Sequence, residues 1–307
     1  MRARPWRARA LRGAWRALAA LPWPAVRAAG AALGWGLAWL PNELRRAARV
    51  NLALCFPDLP AAERRRLLRR TLVETGRAMA EAGPLWGWPA ERALALVREV
   101  RGEQALREAL AAGRGAILAV PHLGAWELVG LYCSRYRVTA LYRPLRVPEL
   151  EGLVRAARER AGARLVPATA AGVRALHRAL ARGGLVGLLP DQRPAPGAAA
   201  ALAPFFGVPA PTGLLLPRLA RRSGAPVILA WALRRPRGGG FALRFRPLPP
   251  LPEGDAEAAA ALNRAVEEVV REAPEQYQWG YRRFRREGWD PYAGPVPPAP
   301  PASPPSG

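Results

Sequence analysis

The residues best suited to do chemistry are His122 and Glu127, in the stretch ILAVPHLGAWEL from Ile117 to Leu128. His122 is one of two histidines in 307 residues and follows an apolar run bounded by Gly115 and Pro121. A short apolar run punctuated by Gly and Pro predicts a buried strand, and Trp126 to Leu131 restarts with helical character. On one continuous helix, five residues would separate the two side chains by about 140°. The pair therefore meets only if His122 lies in a turn before the helix and Glu127 in its first turns, which Pro121-His122-Leu123-Gly124 permits. A carboxylate bonded to one imidazole nitrogen fixes the tautomer and raises the basicity of the other, the arrangement of a general base for a hydroxyl nucleophile. The same residues also fit a partly buried histidine beside a glutamate that complements the helix dipole.

The elements that must hold this pair alternate along the chain. Leu52 to Trp88 reads as helical, with Leu67, Leu68, Leu72 and Met79 at roughly helical spacing and a basic face at Arg64, Arg65, Arg66, Arg69 and Arg70. Strands are expected at Ala116–Val120, Val138–Tyr142, Arg164–Pro167, Leu185–Leu189, Pro226–Leu233 and Phe241–Pro247. Helices are expected at Ala125–Ser134, Glu149–Ala161, Gly172–Arg182, Thr212–Ser223 and Ala256–Glu272. Such alternation predicts an α/β fold, a central mixed sheet flanked by helices, as one domain over residues 46–290. Sites in such sheets gather at the carboxyl ends of strands, where His122, Arg143 and Asp191 fall. Arg143 there suits a phosphate or a developing oxyanion, or a plain salt bridge at a strand end. His177, mid-helix among arginines, reads as an ordinary surface or core histidine, and Arg221 and Arg222 as a solvated face. Arg193 to Ala203 reads as a mobile loop over the site. Pro204 to Pro211, PFFGVPAP, reads as a rigid apolar loop that lines an apolar groove through Phe205 and Phe206 or simply packs.

Composition points to a membrane surface. The chain carries 47 Lys+Arg, none of them lysine, against 23 Asp+Glu, a net +24. That charge draws the protein to phospholipid headgroups, phosphorylated glycolipids or nucleic acid. No nucleic-acid-binding motif is present and the basic residues are spread along the chain, which excludes nucleic acid as the expected partner. Residues 1–45 read as a basic, Trp-rich anchor. Six arginines precede an apolar segment, Ala17–Leu40, interrupted by Arg27 and rich in Trp at Trp15, Trp23, Trp35 and Trp39. Its longest uncharged run, Ala28 to Asn42, falls short of the ~20 residues of a comfortable span, so spanning, interfacial and buried-hairpin readings stay open. Cys55 and Cys133 form no CxxC pair, and reduced thiols are expected. With two histidines and no Cys cluster, neither metal nor cofactor is expected. Residues Pro291 to Gly307 hold eight prolines in seventeen positions and read as a disordered tail.

Several blocks, taken in order, resemble the bacterial lipid A biosynthesis acyltransferases, the late enzymes that add secondary acyl chains. They are RVNLALCFPDLPAAERRRLLRRTLVETGRAMAE from Arg49, GRGAILAVPHLGAWEL, LYRP from Leu141, GLLPDQ from Gly187, PFFGVPAPTG from Pro204, RLARRSGAPVI from Arg218 and PEQYQWGYRRFR from Pro274. The resemblance implies a glycerol-3-phosphate-acyltransferase-like fold with an N-terminal apolar membrane-anchoring helix. It places the family's His-x4-Asp/Glu dyad on His122 and Glu127, with Glu127 orienting His122. It further implies that Asp191 orients Arg143 or another arginine, unless it is a capping Asp, that Gln192 offers a donor to substrate, and that Arg218 binds substrate phosphate. The implied reaction carries a fatty acyl group from acyl carrier protein to a hydroxyl of a lipid A precursor, at the cytoplasmic face of the bacterial inner membrane. The chain departs from the family pattern at Ala125, where Asn is common, at Arg193, where an acidic residue is usual, and at Tyr281, where His is usual. A different acceptor lipid, such as a phosphatidylinositol mannoside or an amino-acid lipid, or a non-catalytic basic membrane-binding protein, are the competing readings.

Overall fold

The computed structural model describes residues 5–143 and 151–294. Seven strands form one mixed sheet: β1 (Val97–Arg101), β2 (Ala116–Ala119), β3 (Thr139–Tyr142), β4 (Arg164–Pro167), β5 (Leu185–Leu188), β8 (Val227–Arg234) and β9 (Phe241–Pro247). Their order is β1-β9-β8-β2-β5-β3-β4, parallel throughout except for β8 against β9. The central strands β2 and β5 are apolar at every position, the signature of a parallel sheet covered on both faces. Along β2 and just past it, Ala116, Leu118 and Val120 pack into one core, and Ile117 and Ala119 into the other. The first core is closed by α6 (Glu103–Ala111) and α7 (Trp126–Cys133). The second is closed by α3 (Glu43–Cys55), α9 (Ala170–Ala181), α10 (Leu215–Ser223) and α11 (Asp255–Glu272). The six expected strands all form, within a residue or so of their expected ends, so the α/β expectation holds. β1 was not expected: three of the five residues of its sequence, VREVR, are charged, and it lies on the sheet edge.

Three other expectations change. The stretch read as a mobile loop and an apolar loop is a β-hairpin, β6 (Ala200–Phe205) paired antiparallel with β7 (Val208–Gly213). Its two-residue turn puts Phe206 at φ 51 and Gly207 at φ 75, the backbone twist a tight hairpin needs. Helix α11 supplies what the proline-rich strands lack: Glu267 accepts from the Phe206 amide at 2.7 Å, and Asn263 donates to Pro204 O and Thr212 Oγ1 at 2.9 Å each. Phe205 and Phe206 are buried against Phe56, Tyr277, Trp279 and Phe284 and so serve packing. At the C-terminus, Tyr292 is buried and bonded to Asn51 and the Phe284 amide, so packed chain extends into the segment expected to be a tail. The remaining expected tail residues, 295–307, lie outside the described residues, as do Pro144 and positions 145–150.

The N-terminal segment is two helices, α1 (Pro5–Ala20) and α2 (Trp23–Trp39), broken at Leu21-Pro22. Among the described residues no helix is long and apolar enough to cross a membrane, which removes the spanning reading of the anchor from them. Instead α2 lies on α4 (Ala61–Gly87), burying Val26, Gly30, Gly34 and Ala38. Gly34 and Gly76 meet backbone to backbone: a Cβ on Gly76 would stand 2.3 Å from the Gly34 nitrogen. Trp35 and Trp39 on the far side of α2 are exposed, as are Leu33 on its flank and Leu40 just beyond the helix. Two shorter helices, α5 (Ala90–Leu94) and α8 (Glu151–Glu159), complete the fold.

Candidate active site

The turn after β2 is held in place from three sides. Gly124 has φ 62, and a Cβ there would lie 2.0 Å from the Ala232 carbonyl of β8, so only glycine fits. The Gly124 amide donates to Gln276 O at 3.0 Å, the Ala125 amide to Ala232 O at 2.8 Å, and the Gln278 amide to His122 O at 3.1 Å. The segment after α11, PEQYQWG, thus crosses the turn and locks His122 at the carboxyl edge of the sheet. From beneath, Arg234 of β8 reaches Gly124 O at 3.4 Å while forming a buried, forked pair with Glu81 of α4 at 2.7–3.0 Å.

His122 is bonded by Asp191, not by Glu127. The Nδ1 of His122 lies 2.8 Å from Asp191 Oδ1, and the His122 backbone amide donates to Oδ2 at 2.8 Å. Asp191 follows β5, the strand beside β2, so neighbouring parallel strands deliver the two side chains to one edge. Burial opposes ionisation of Asp191, yet the charge and both hydrogen bonds of His122, with Arg283 behind, hold its carboxyl below the ordinary range. An ionised Asp191 requires Nδ1 to carry the proton, which leaves Nε2 as the basic nitrogen. Gln192 Nε2 is 3.0 Å from that Nε2 and also donates to Gln278 Oε1 at 3.3 Å. Trp126 lies against the imidazole, ring centroids 4.9 Å apart.

Glu127 starts α7 as expected, but its carboxylate is taken by Arg158 of α8 through two bonds of 3.0 and 2.5 Å. Burial alone would lower the pKa of Arg158, and the charge and hydrogen bond of Glu127 more than offset this and raise it. The reason for the exchange is reach. His122 precedes the helix with its Nδ1 turned to the β5 edge, so Asp191 meets it and Glu127 turns to the arginine of the next helix. The expected pairing of Asp191 with Arg143 is likewise replaced: Arg143 donates to Arg193 O at 3.2 Å. Arg218 is paired with Asp255 of α11, its Nη2 at 2.6 Å from Oδ2. Tyr281 accepts from the Arg193 amide at 3.2 Å, so the residue at that position fixes the loop leaving Asp191-Gln192.

One cavity opens on His122, and a second lies beside it. The larger, about 610 Å³, brings together His122, Arg143, Gln192 and Arg218 with Arg158, His177 and Arg222, so four of the six expected site residues share it. The smaller, about 90 Å³, is mostly apolar, lined by residues such as Leu118, Val120, Leu131 and Cys133, with Glu127 in its wall. Trp126, Leu141, Tyr142, Arg158, Leu188 and Leu189 border both. Among the described residues no group of three or more His, Cys, Asp and Glu side chains could hold a metal ion. Arg158, His177 and Arg222 had no role in the sequence reading. Arg158 carried one faint signal, a charge on the inner side of an otherwise amphipathic helix; His177 and Arg222 sit among so many arginines that spacing alone does not separate them.

The model of the family described as bacterial lipid A biosynthesis acyltransferase matches residues 3–286. A lipid A biosynthesis lauroyltransferase of Escherichia coli K12 is 31% identical over 273 residues, covering 86% of this chain and 87% of the relative. A lipid A biosynthesis palmitoleoyltransferase of the same organism is 29% identical, with 86% of each chain covered. A lipid A biosynthesis acyltransferase of Haemophilus influenzae is 31% identical over 285 residues, 88% of each.

Proposed function

The chain belongs to the bacterial lipid A biosynthesis acyltransferases, and from that premise we propose that it moves a fatty acyl group from an acyl carrier protein thioester to a hydroxyl of a hydroxyacyl chain on a lipid A precursor. The observation that carries the reading is the Asp191–His122 pair, open through Nε2 to a cavity of substrate size beside an apolar one. His122 Nε2 takes the hydroxyl proton as the oxygen attacks the thioester carbon. The tetrahedral oxyanion then collapses, breaking the C–S bond, and the imidazolium returns the proton to the departing thiolate. No covalent acyl-enzyme is required. Asp191 orients the ring and stabilises its charged form. Gln192, bonded to Nε2, is displaced by the incoming hydroxyl. Arg143 and Arg158 line the same cavity and are suited to the oxyanion, Arg158 being fixed by Glu127, which gives Glu127 an indirect share in catalysis. The apolar cavity takes the hydrocarbon of the acyl group.

At the membrane, the exposed Leu33, Trp35, Trp39 and Leu40 of the α2 region, on a chain of net +24, fit an interfacial attachment to anionic lipid. The basic surface also suits an acidic carrier protein. The test is mass spectrometry of a lipid A precursor incubated with purified protein and acyl carrier proteins bearing different chains, beside His122→Ala. A gain of one acyl mass in the wild type alone is the expected result. No gain with any donor, or equal gain in the variant, overturns the reading.

A further inference from the structure

Both histidines of the chain open onto the same cavity. Among the described residues its lining holds four arginines, two histidines and no carboxylate. Arg158 and Arg218 are answered by Glu127 and Asp255. Arg143 stands at the end of β3, on the His122 side of the cavity.

His177 and Arg222 lie elsewhere. Helix α9 links the carboxyl end of β4 to the start of β5, and α10 ends just before β8 begins, so both helices run from the His122 edge of the sheet back toward its other edge. Thr169, which caps α9, then Val173 and His177 follow at four-residue intervals on one side and all line the cavity. His177 is therefore eight residues, about 12 Å, along the helix from that edge. On α10, Leu215, Leu219 and Arg222, four and then three residues apart, also line the cavity, with Arg222 in the last turn. The neighbouring Arg221 turns away to Glu253 O and Asp255.

We infer that His177 and Arg222 form a phosphate subsite at the end of the cavity remote from His122. A wall of one sign of charge concentrates an anion, and an exposed guanidinium fork and a half-buried imidazole lining one cavity both suit phosphate oxygens. The inference rests on the proposed acyl transfer for its source of phosphate, which is either a phosphate on the acceptor glycolipid or the phosphate of the donor's pantetheine arm.

The test is a calorimetric titration of inorganic pyrophosphate into the full chain in detergent, comparing wild type with the double variant His177→Gln/Arg222→Gln and with Arg221→Gln. The expected result is measurable wild-type binding, weakened at least tenfold in the double variant and unchanged in Arg221→Gln, with all three proteins sharing the same melting temperature. Absent wild-type binding, or equal affinity in a folded double variant, overturns the subsite. Steady-state kinetics then assign the source. A raised KM for the acceptor, lost when a dephosphorylated acceptor is used, places the headgroup there, and a raised KM for the donor places the pantetheine phosphate there. Unchanged KM for both overturns the inference. Because the titration reads no turnover, absence of acyl transfer in wild type would remove the reaction without deciding the subsite.

Discussion

At the scale of the residue, the site depends on which carboxylate holds His122. Asp191→Asn keeps the shape but presents the wrong hydrogen-bonding group to Nδ1, and it is expected to lower kcat by about 10³–10⁴, read by the mass assay. Glu127→Gln frees a mostly buried arginine and is expected to cost activity through misplacement of Arg158, so Arg158→Lys should show a similar loss. Asp191 also leaves a mark on stability. Its carboxyl is held below its ordinary 3.8 in the folded protein, so its contribution is present above that value and is lost as pH falls through the lower folded value. Denaturant unfolding measured from pH 6 to pH 3 should show a steeper loss below about pH 4 in wild type than in Asp191→Asn. The sequence made His122 legible because a lone histidine after an apolar run is conspicuous. It could not reveal its partner, because Asp191 lies 69 positions away and arrives through the pairing of β2 with β5. Local spacing favoured Glu127, and only the strand order favours Asp191.

At the scale of the element, apolar periodicity predicted every central strand, since a strand buried on both faces needs only a short continuous apolar run. It failed where tertiary contacts compensate for poor local sequence. VREVR pairs as an edge strand, and the proline-rich hairpin depends on Asn263 and Glu267 of α11. The apolar segment 17–40 read ambiguously because its glycines serve close packing, which hydropathy does not register. Gly76→Ala would force α4 from α2 and is expected to cost about 1–3 kcal/mol despite the better helix propensity of alanine. Gly36→Ala, on α2 but with open space around it, is expected to gain about 0.5–1 kcal/mol. Opposite shifts of melting temperature for these two variants would confirm the contact. Glu81→Ala would take the forked partner from Arg234, buried beneath the His122 turn, leaving it only the longer pair with Glu74 at 3.6 Å, and is expected to cost about 3 kcal/mol and activity with it.

At the scale of the whole molecule, charge and the apolar rim of α2 act together. Binding to anionic vesicles should weaken as salt rises from 50 to 500 mM, and Trp35→Ala/Trp39→Ala should weaken it further at every salt concentration, as measured by co-sedimentation. The sheet that carries the site also divides the interior into two cores, and each core contains one cysteine, Cys55 on the α3 side and Cys133 on the α7 side. Both thiols are buried, and burial pushes both well above their usual range. Neither should react with an alkylating reagent until its own layer opens. The two labelling rates then serve as independent clocks, one for each half of the interior, and a ligand that enters the apolar cavity beside Cys133 should slow one clock while leaving the other running.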